Sequence, residues 1–211
     1  MPSNSRIEIL NKIAAVRSKR VAAVDIQPNV DMEIYKPILP DSISCFKNEL
    51  EVINGQCIIC ENETDLYQKL IQFVQSQKLA YLFCRDSYIA SQLTTLKIPF
   101  SNEVSDFELM QAGITGCEFL VARTGSVLVS SASESGRQLN IFPPIHIVLA
   151  RASQLVDYMT DALDAMQQKY GTELPSSITT ITGPSRTADI EKTLVLGAHG
   201  PKEFVVFLTK I

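Results

Sequence analysis

The chain has 211 residues, 45% of them hydrophobic and 20% charged, with a formal net charge of −4. That is enough chain for one α/β domain with a full core, and too acidic a balance for a nucleic-acid footprint, which needs a basic face. No run approaches the ~18 apolar residues of a membrane span and the N-terminus lacks an apolar leader, so the expectation is a soluble cytoplasmic protein.

In chain order, Asn4 to Val24 reads as an amphipathic docking helix, with Ile7, Leu10, Ala14 and Val21 at helical spacing and Arg6, Lys12, Lys19 and Arg20 on a solvated face. Asp25 to Pro40 reads as an arm. Asp41 to Asn54 is a second helix, capped by Asp41 or Ser42 and stopped at Gly55. Residues 1–54 are therefore expected as N-terminal helices and an arm packed on a single α/β domain at 55–211.

Gln56 to Glu61 is the first strand. Asn62 caps a helix through Gln77, with Leu66, Leu70, Ile71, Phe73 and Val74 as its buried face. Ala80 to Cys84 is an all-apolar strand, as in a parallel sheet covered on both sides. Asp86 caps a helix to about Leu96. Lys97 to Phe100 is a third short strand, and Ser105 opens a helix of about two turns ended by Gly113. This alternation predicts a right-handed, mostly parallel sheet.

After Gly113 come strand-like runs at 114–122 and 125–131, a polar loop at 130–138, and a strand at 145–150 preceded by Pro143-Pro144. Ser153 caps a helix to Tyr170. Ile178 to Thr182 and Glu203 to Lys210 are further strands. Between them, Ser185 or Thr187 caps a helix beginning after Gly183-Pro184, with Asp189 favoured by its dipole.

The five cysteines point to a reducing compartment. Cys57-Ile-Ile-Cys60 has redox or metal spacing, but in a strand positions i and i+3 face opposite ways, which favours buried thiols. There is no P-loop, no Gly-x-Gly-x-x-Gly fingerprint and no Gly-x-Ser-x-Gly elbow, so no motif identifies a cofactor. The two histidines lie far apart in sequence, and no metal site is expected.

Four turns rich in glycine or hydroxyls flank strands. They are Gly113-Ile-Thr-Gly-Cys-Glu118, Arg123-Thr-Gly-Ser126, Gly183-Pro-Ser-Arg-Thr187 and Gly197-Ala-His-Gly200. Ligands of open α/β sheets bind beyond strand carboxyl ends, and such turns could wall one crevice. The candidate ligand-binding residues are Thr115, Gly116, Glu118, Arg123, Thr124, Gly125, Ser126, Gly183, Pro184, Ser185, Arg186, Thr187, Asp189, Gly197, His199 and Gly200. His199, in a glycine-flanked loop, is the general acid/base candidate or fixes that loop through backbone hydrogen bonds. His146 reads as structural. Glu118 and Arg123 either pair with each other or serve a ligand.

The stretches Gly113 to Glu118, Thr124-Gly-Ser126, Pro143-Pro-Ile-His146, Gly183-Pro-Ser-Arg-Thr-Ala-Asp-Ile-Glu191 and Gly197-Ala-His-Gly-Pro201 resemble the LUD domain family, the lactate-utilisation proteins of LutC and YkgG type. The resemblance implies a three-layer α/β/α fold of the NagB/RpiA/CoA-transferase group. It also implies a part in oxidising L-lactate to pyruvate beside partner subunits carrying iron–sulfur clusters. Members often carry an acid before the Thr-Gly turn; here Arg123 stands there, which points to an anion-binding variant. A stand-alone isomerase or transferase of a sugar phosphate or acyl-CoA, and a non-catalytic adaptor for iron–sulfur subunits, are the alternative functions.

Overall fold

The computed structural model describes residues 4–18, 36–188 and 194–211. Two compact units are present, one up to Lys36 and one from Pro37 to Ile211. The described part of the first is helix α1 (Asn4–Ser18). Its expected continuation to Val24, and the arm through residue 35, lie outside the described residues.

The second unit opens with α2 (Ser42–Val52), where Asp41 accepts the Ser44 N–H at 2.9 Å. Strand β1 (Gln56–Cys60) follows, then α3 (Glu63–Ser76), β2 (Leu82–Cys84) and α4 (Ser87–Thr95). The Asn62 side chain accepts the Asp65 N–H at 3.0 Å, and the Asp86 side chain accepts the Ile89 N–H at 3.0 Å. These are the caps expected from the sequence, each satisfying an orphan donor of a first turn. Asn62→Ala should therefore destabilise the protein by about 1 kcal/mol, read from the midpoint of denaturant unfolding.

Next come β3 (Ala112–Thr115), β4 (Phe119–Val121), β5 (Ser126–Ser130) and β6 (Ile145–Arg151). The chain ends with β7 (Leu155–Val156), α5 (Met159–Tyr170), β8 (Ile178–Ile181), β9 (Arg186–Ala188), β10 (Leu194–Leu196) and β11 (Glu203–Thr209).

The central sheet has the order β1-β11-β6-β3-β2, and every pairing in it is parallel. This is the expected α/β architecture around a mostly parallel sheet. Helices α3 and α4 bury Leu66, Tyr67, Leu70, Phe73, Ile89 and Leu93 on one face of that sheet, against Cys60, Leu82, Ile114, Ile147 and Phe207. On the other face Phe46 and Leu50 of α2 join Leu120, Val127 and Val129 over Cys57, Val148, Val206 and Leu208. That second cover is thus built partly from a four-stranded sheet, β7-β4-β5-β8, which α5 backs with Ala162 and Met166.

Cys57 and Cys60 fall in opposite cores, as strand geometry requires, and burial pushes their thiols up to about 12 and about 11. All five cysteines are free thiols.

Four local expectations are corrected. Residues 97–100 form no strand; only an isolated bridge between Phe83 and Ser101 extends that edge. The segment from Val104 to Leu109 is a 3-10 helix, and Gly113 lies inside β3 rather than ending a helix. A Cβ at Gly113 would come within 2.8 Å of Pro143 Cγ, so the glycine admits the diproline loop against the strand. The long helix starts at Met159, because residues 155–156 are taken by the second sheet as β7. Finally, Gly183-Pro184 leads into the antiparallel pair β9 and β10 rather than a helix.

Candidate functional site

At the carboxyl ends of the parallel strands lies a cavity of about 410 Å³. Thr209 ends β11, Leu149 to Arg151 end β6, and Gly116-Cys117 follow β3. The first turns of α3 and α4 complete the wall with Glu63, Leu66, Tyr67, Asp86, Tyr88 and Ile89, and Gln154 closes one side. This placement follows from topology. The chain passes from edge strand β1 to the opposite edge β2 and then fills the sheet inward, so the connections part above the strand ends.

A smaller cavity of about 190 Å³ adjoins it, sharing Asp86, Gly116 and Cys117. Glu118 lines it, 8% exposed. Its carboxylate accepts from Ser130 Oγ at 2.6 Å, Tyr170 Oη at 2.7 Å and Lys169 Nζ at 2.7 Å. Burial pushes this carboxyl up, but the bonds from Lys169, Ser130 and Tyr170 outweigh it and hold the group below the usual range. Lys169, reaching across from α5, is raised in turn by the same bond.

In the main cavity nearly every polar wall group is already used. Tyr88 donates to Glu63, and Asp86 caps α4. Gln154 accepts from the Arg151 N–H and donates to the Cys117 carbonyl. Thr209 donates to the Ala150 carbonyl. The Arg151 guanidinium lies 5.7 Å from the Tyr88 ring centroid and has no carboxylate partner among the described residues.

The sequence-predicted residues do not form one crevice. Gly116 and Glu118 line the two cavities. Thr115 is buried, its hydroxyl 2.9 Å from His146 Nε2 in the core. Arg123 pairs with Glu49 of α2 at 2.9 Å and not with Glu118. Thr124, Ser126 and Thr182 form a chain of hydroxyls with 2.8 Å links, and Gly125 and Gly183 pack against Leu50 and Ile53 at the end of α2. These residues make a structural seam.

Ser185, Arg186, Thr187, Gly197, His199 and Gly200 gather at the amino ends of the central strands. Ser185 N–H donates to the Pro201 carbonyl at 2.8 Å, Gly197 N–H to the Ser185 carbonyl at 2.9 Å, and Lys202 N–H to the Pro144 carbonyl at 2.8 Å. Pro184 is buried beside them, Arg186 and His199 are exposed, and Asp189 lies outside the described residues. The 7 residues of β11 separate this loop pair from the cavity, a span of roughly 20 Å. His199 therefore does not reach a ligand held at the carboxyl ends. Arg186–Ala188 is strand β9, so among the described residues no helix N-terminus follows the Gly-Pro turn to attract an anion.

Sequence reasoning missed Tyr67, Arg151 and Gln154. Their signal is positional: each sits at the carboxyl end of a parallel strand or in the helix or turn that follows one. Among the described residues no group of three or more His, Cys, Asp or Glu could hold a metal, and no helix is long and apolar enough to cross a membrane.

An open parallel sheet covered on both faces, with a crevice at its strand carboxyl ends, defines the class as an α/β domain. The model of the LUD domain matches residues 43–209, and the chain belongs to that family. It is 41% identical over 96 residues to a lactate utilization protein C of Bacillus subtilis, covering 44% of this chain and 40% of that protein. Against the uncharacterized protein YkgG of Escherichia coli it is 33% identical over 110 residues, covering 51% and 48%. The chain thus spans about half the length of these relatives, or less. A crystal structure of a DUF162 family protein from Deinococcus radiodurans shares the fold, with a TM-score of 0.60 at 16% identity over 80% of this chain and 96% of that one.

Proposed function

We propose that this chain acts in a system that oxidises L-lactate to pyruvate and binds the small carboxylate in the cavity at the strand carboxyl ends. The observation that carries this reading is Arg151, a guanidinium at the cavity wall with no carboxylate partner among the described residues. A guanidinium is always charged and presents a planar fork that matches a carboxylate. The relatives named lactate utilization protein C supply the substrate class. The electrons and protons released on oxidation would pass to an acceptor on partner subunits, the iron–sulfur proteins the family resemblance implies.

A saturating ligand at 100 times its dissociation constant stabilises by about 2.7 kcal/mol. L-lactate or pyruvate should raise the melting temperature of the wild type. Arg151→Ala, an exposed change outside both cores, should lose that rise while keeping the unliganded melting temperature. An undiminished rise in the variant would show that the acid binds elsewhere.

The amino-end loops support a second role, as the surface for a partner. Arg186 and His199 are exposed there, and Gly200 approaches the Ile141 carbonyl, next to Phe142, which is 63% exposed. Phe142→Asp should weaken co-purification with iron–sulfur subunits without changing carboxylate binding.

A further inference from the structure

We propose that the main cavity is built for a 2-hydroxy acid with a side chain larger than the methyl of lactate, and that Tyr67 donates its hydroxyl hydrogen bond to the 2-oxygen of that acid. This rests on the reading of the cavity as a carboxylate site.

Two observations point to it. The first is Tyr67, which lines the cavity yet is only 6% exposed. Its hydroxyl has no hydrogen-bond partner among the described residues, whereas Glu63, Asp86, Tyr88, Gln154 and Thr209 around it all have one. The ring is buried while the hydroxyl opens on the cavity without a protein partner, so its donor is left for a molecule held there, which marks a position for a ligand atom. Burial, with Glu63 and Tyr88 nearby, pushes the phenol above its ordinary range and keeps it a donor. Arg151 lines the same cavity, so one ligand there can offer its carboxylate to the guanidinium and its 2-oxygen to the phenol.

The second observation is size and lining. A volume of about 410 Å³ is several times what a three-carbon acid fills, and falls in the range of sites for much larger molecules. The surplus is apolar: Leu66, Ile89 and Leu149 form its floor. An acid ending in a methyl would leave that floor to water. One carrying an aryl or longer alkyl group would cover it, and each added methylene or its equivalent is worth about tenfold or more in a fitted pocket.

Titration calorimetry on the full chain tests this with L-lactate, 3-phenyllactate and 3-phenylpropionate, which lacks the 2-oxygen. The expected result is 3-phenyllactate binding at least about tenfold tighter than lactate. It should also bind about five- to tenfold tighter than 3-phenylpropionate, and Tyr67→Phe should erase that second difference without lowering the melting temperature appreciably. Lactate binding as tightly as 3-phenyllactate would overturn the enlarged side-chain pocket and leave the carboxylate site standing. An unchanged preference for 3-phenyllactate over 3-phenylpropionate in Tyr67→Phe would overturn the role of Tyr67. No binding of any of the three acids would overturn both this inference and the carboxylate reading beneath it.

Discussion

Gly125→Ala should destabilise the protein by about 2–5 kcal/mol, a loss visible in the midpoint of chemical unfolding. Two costs add. Gly125 sits at φ +60, the left-handed region, where an L side chain brings Cβ against the following carbonyl at a cost of about 1–2 kcal/mol. The added Cβ would also lie 2.3 Å from the Leu50 N and 2.7 Å from the Glu49 carbonyl carbon. Those are backbone atoms of α2, so relief requires moving the helix. Leu50 and Phe46, both fully buried, would move with it, and the Arg123 to Glu49 bond would be pulled out of line. The carboxyl-end cavity lies away from this seam, so carboxylate binding by the folded fraction should be unchanged. A variant of wild-type stability would mean that α2 does not pack as closely as described.

The contrast between this seam and the cavity explains what the sequence made legible. Caps, strands and helix faces were readable because they depend on local periodicity and on side chains reaching backbone two or three residues away. Asp41, Asn62 and Asp86 act as their positions indicated. Cys57 and Cys60 could be separated on strand geometry alone. The Gly-rich turns were readable as turns, but their glycines answer to packing: Gly113 to Pro143, Gly125 to Leu50, Gly183 to Ile53. A tight approach of protein to protein and one of protein to ligand demand the same residue, and sequence does not distinguish them. The segment from Arg186 to Leu196 failed for a different reason. Short apolar runs suit helix and strand alike, and the pairing of Thr187 with Val195 decides the matter only in three dimensions. Tyr67 and Arg151 were hidden because one reads as part of a buried helix face and the other as the end of a buried strand. Only the strand order, which places β1 and β2 at opposite edges, reveals that both open on the same crevice.

His146 should make stability fall as the solution is acidified from pH 6.5 to 4.5, by about 2.3 kcal/mol in all. The imidazole is fully buried, and removal from water drives its pKa down from 6.5 to about 3. Its Nε2 meets the Thr115 hydroxyl at 2.9 Å, while Nδ1 has no partner among the described residues. Among the described residues no carboxylate stands beside it to favour a cation. The sign follows from proton counting. Below pH 6.5 the unfolded chain takes up a proton on this residue and the folded chain does not. The slope favouring unfolding therefore rises from half of about 1.4 kcal/mol per pH unit at pH 6.5 to nearly all of it by about pH 5.5, and holds until the folded pKa is approached. Carboxylates whose pKa values are lowered on folding, such as Glu118 and Glu134, start from an ordinary value of 4.5 and act mainly below about pH 5.5, and Asp41 and Asp65 act lower still. The histidine therefore dominates the upper part of the interval, from pH 6.5 to about 5.5, before these carboxylates begin to titrate. His146→Gln does not titrate there, so its stability at neutral pH should be lower than that of the wild type, through lost packing against Phe204, yet its dependence on pH across this interval should be flatter. Urea unfolding of both proteins at half-unit steps of pH measures the difference between the slopes. Parallel curves would show that His146 takes up its proton in the folded state as readily as in the unfolded one, which a buried imidazole without a compensating charge does not do.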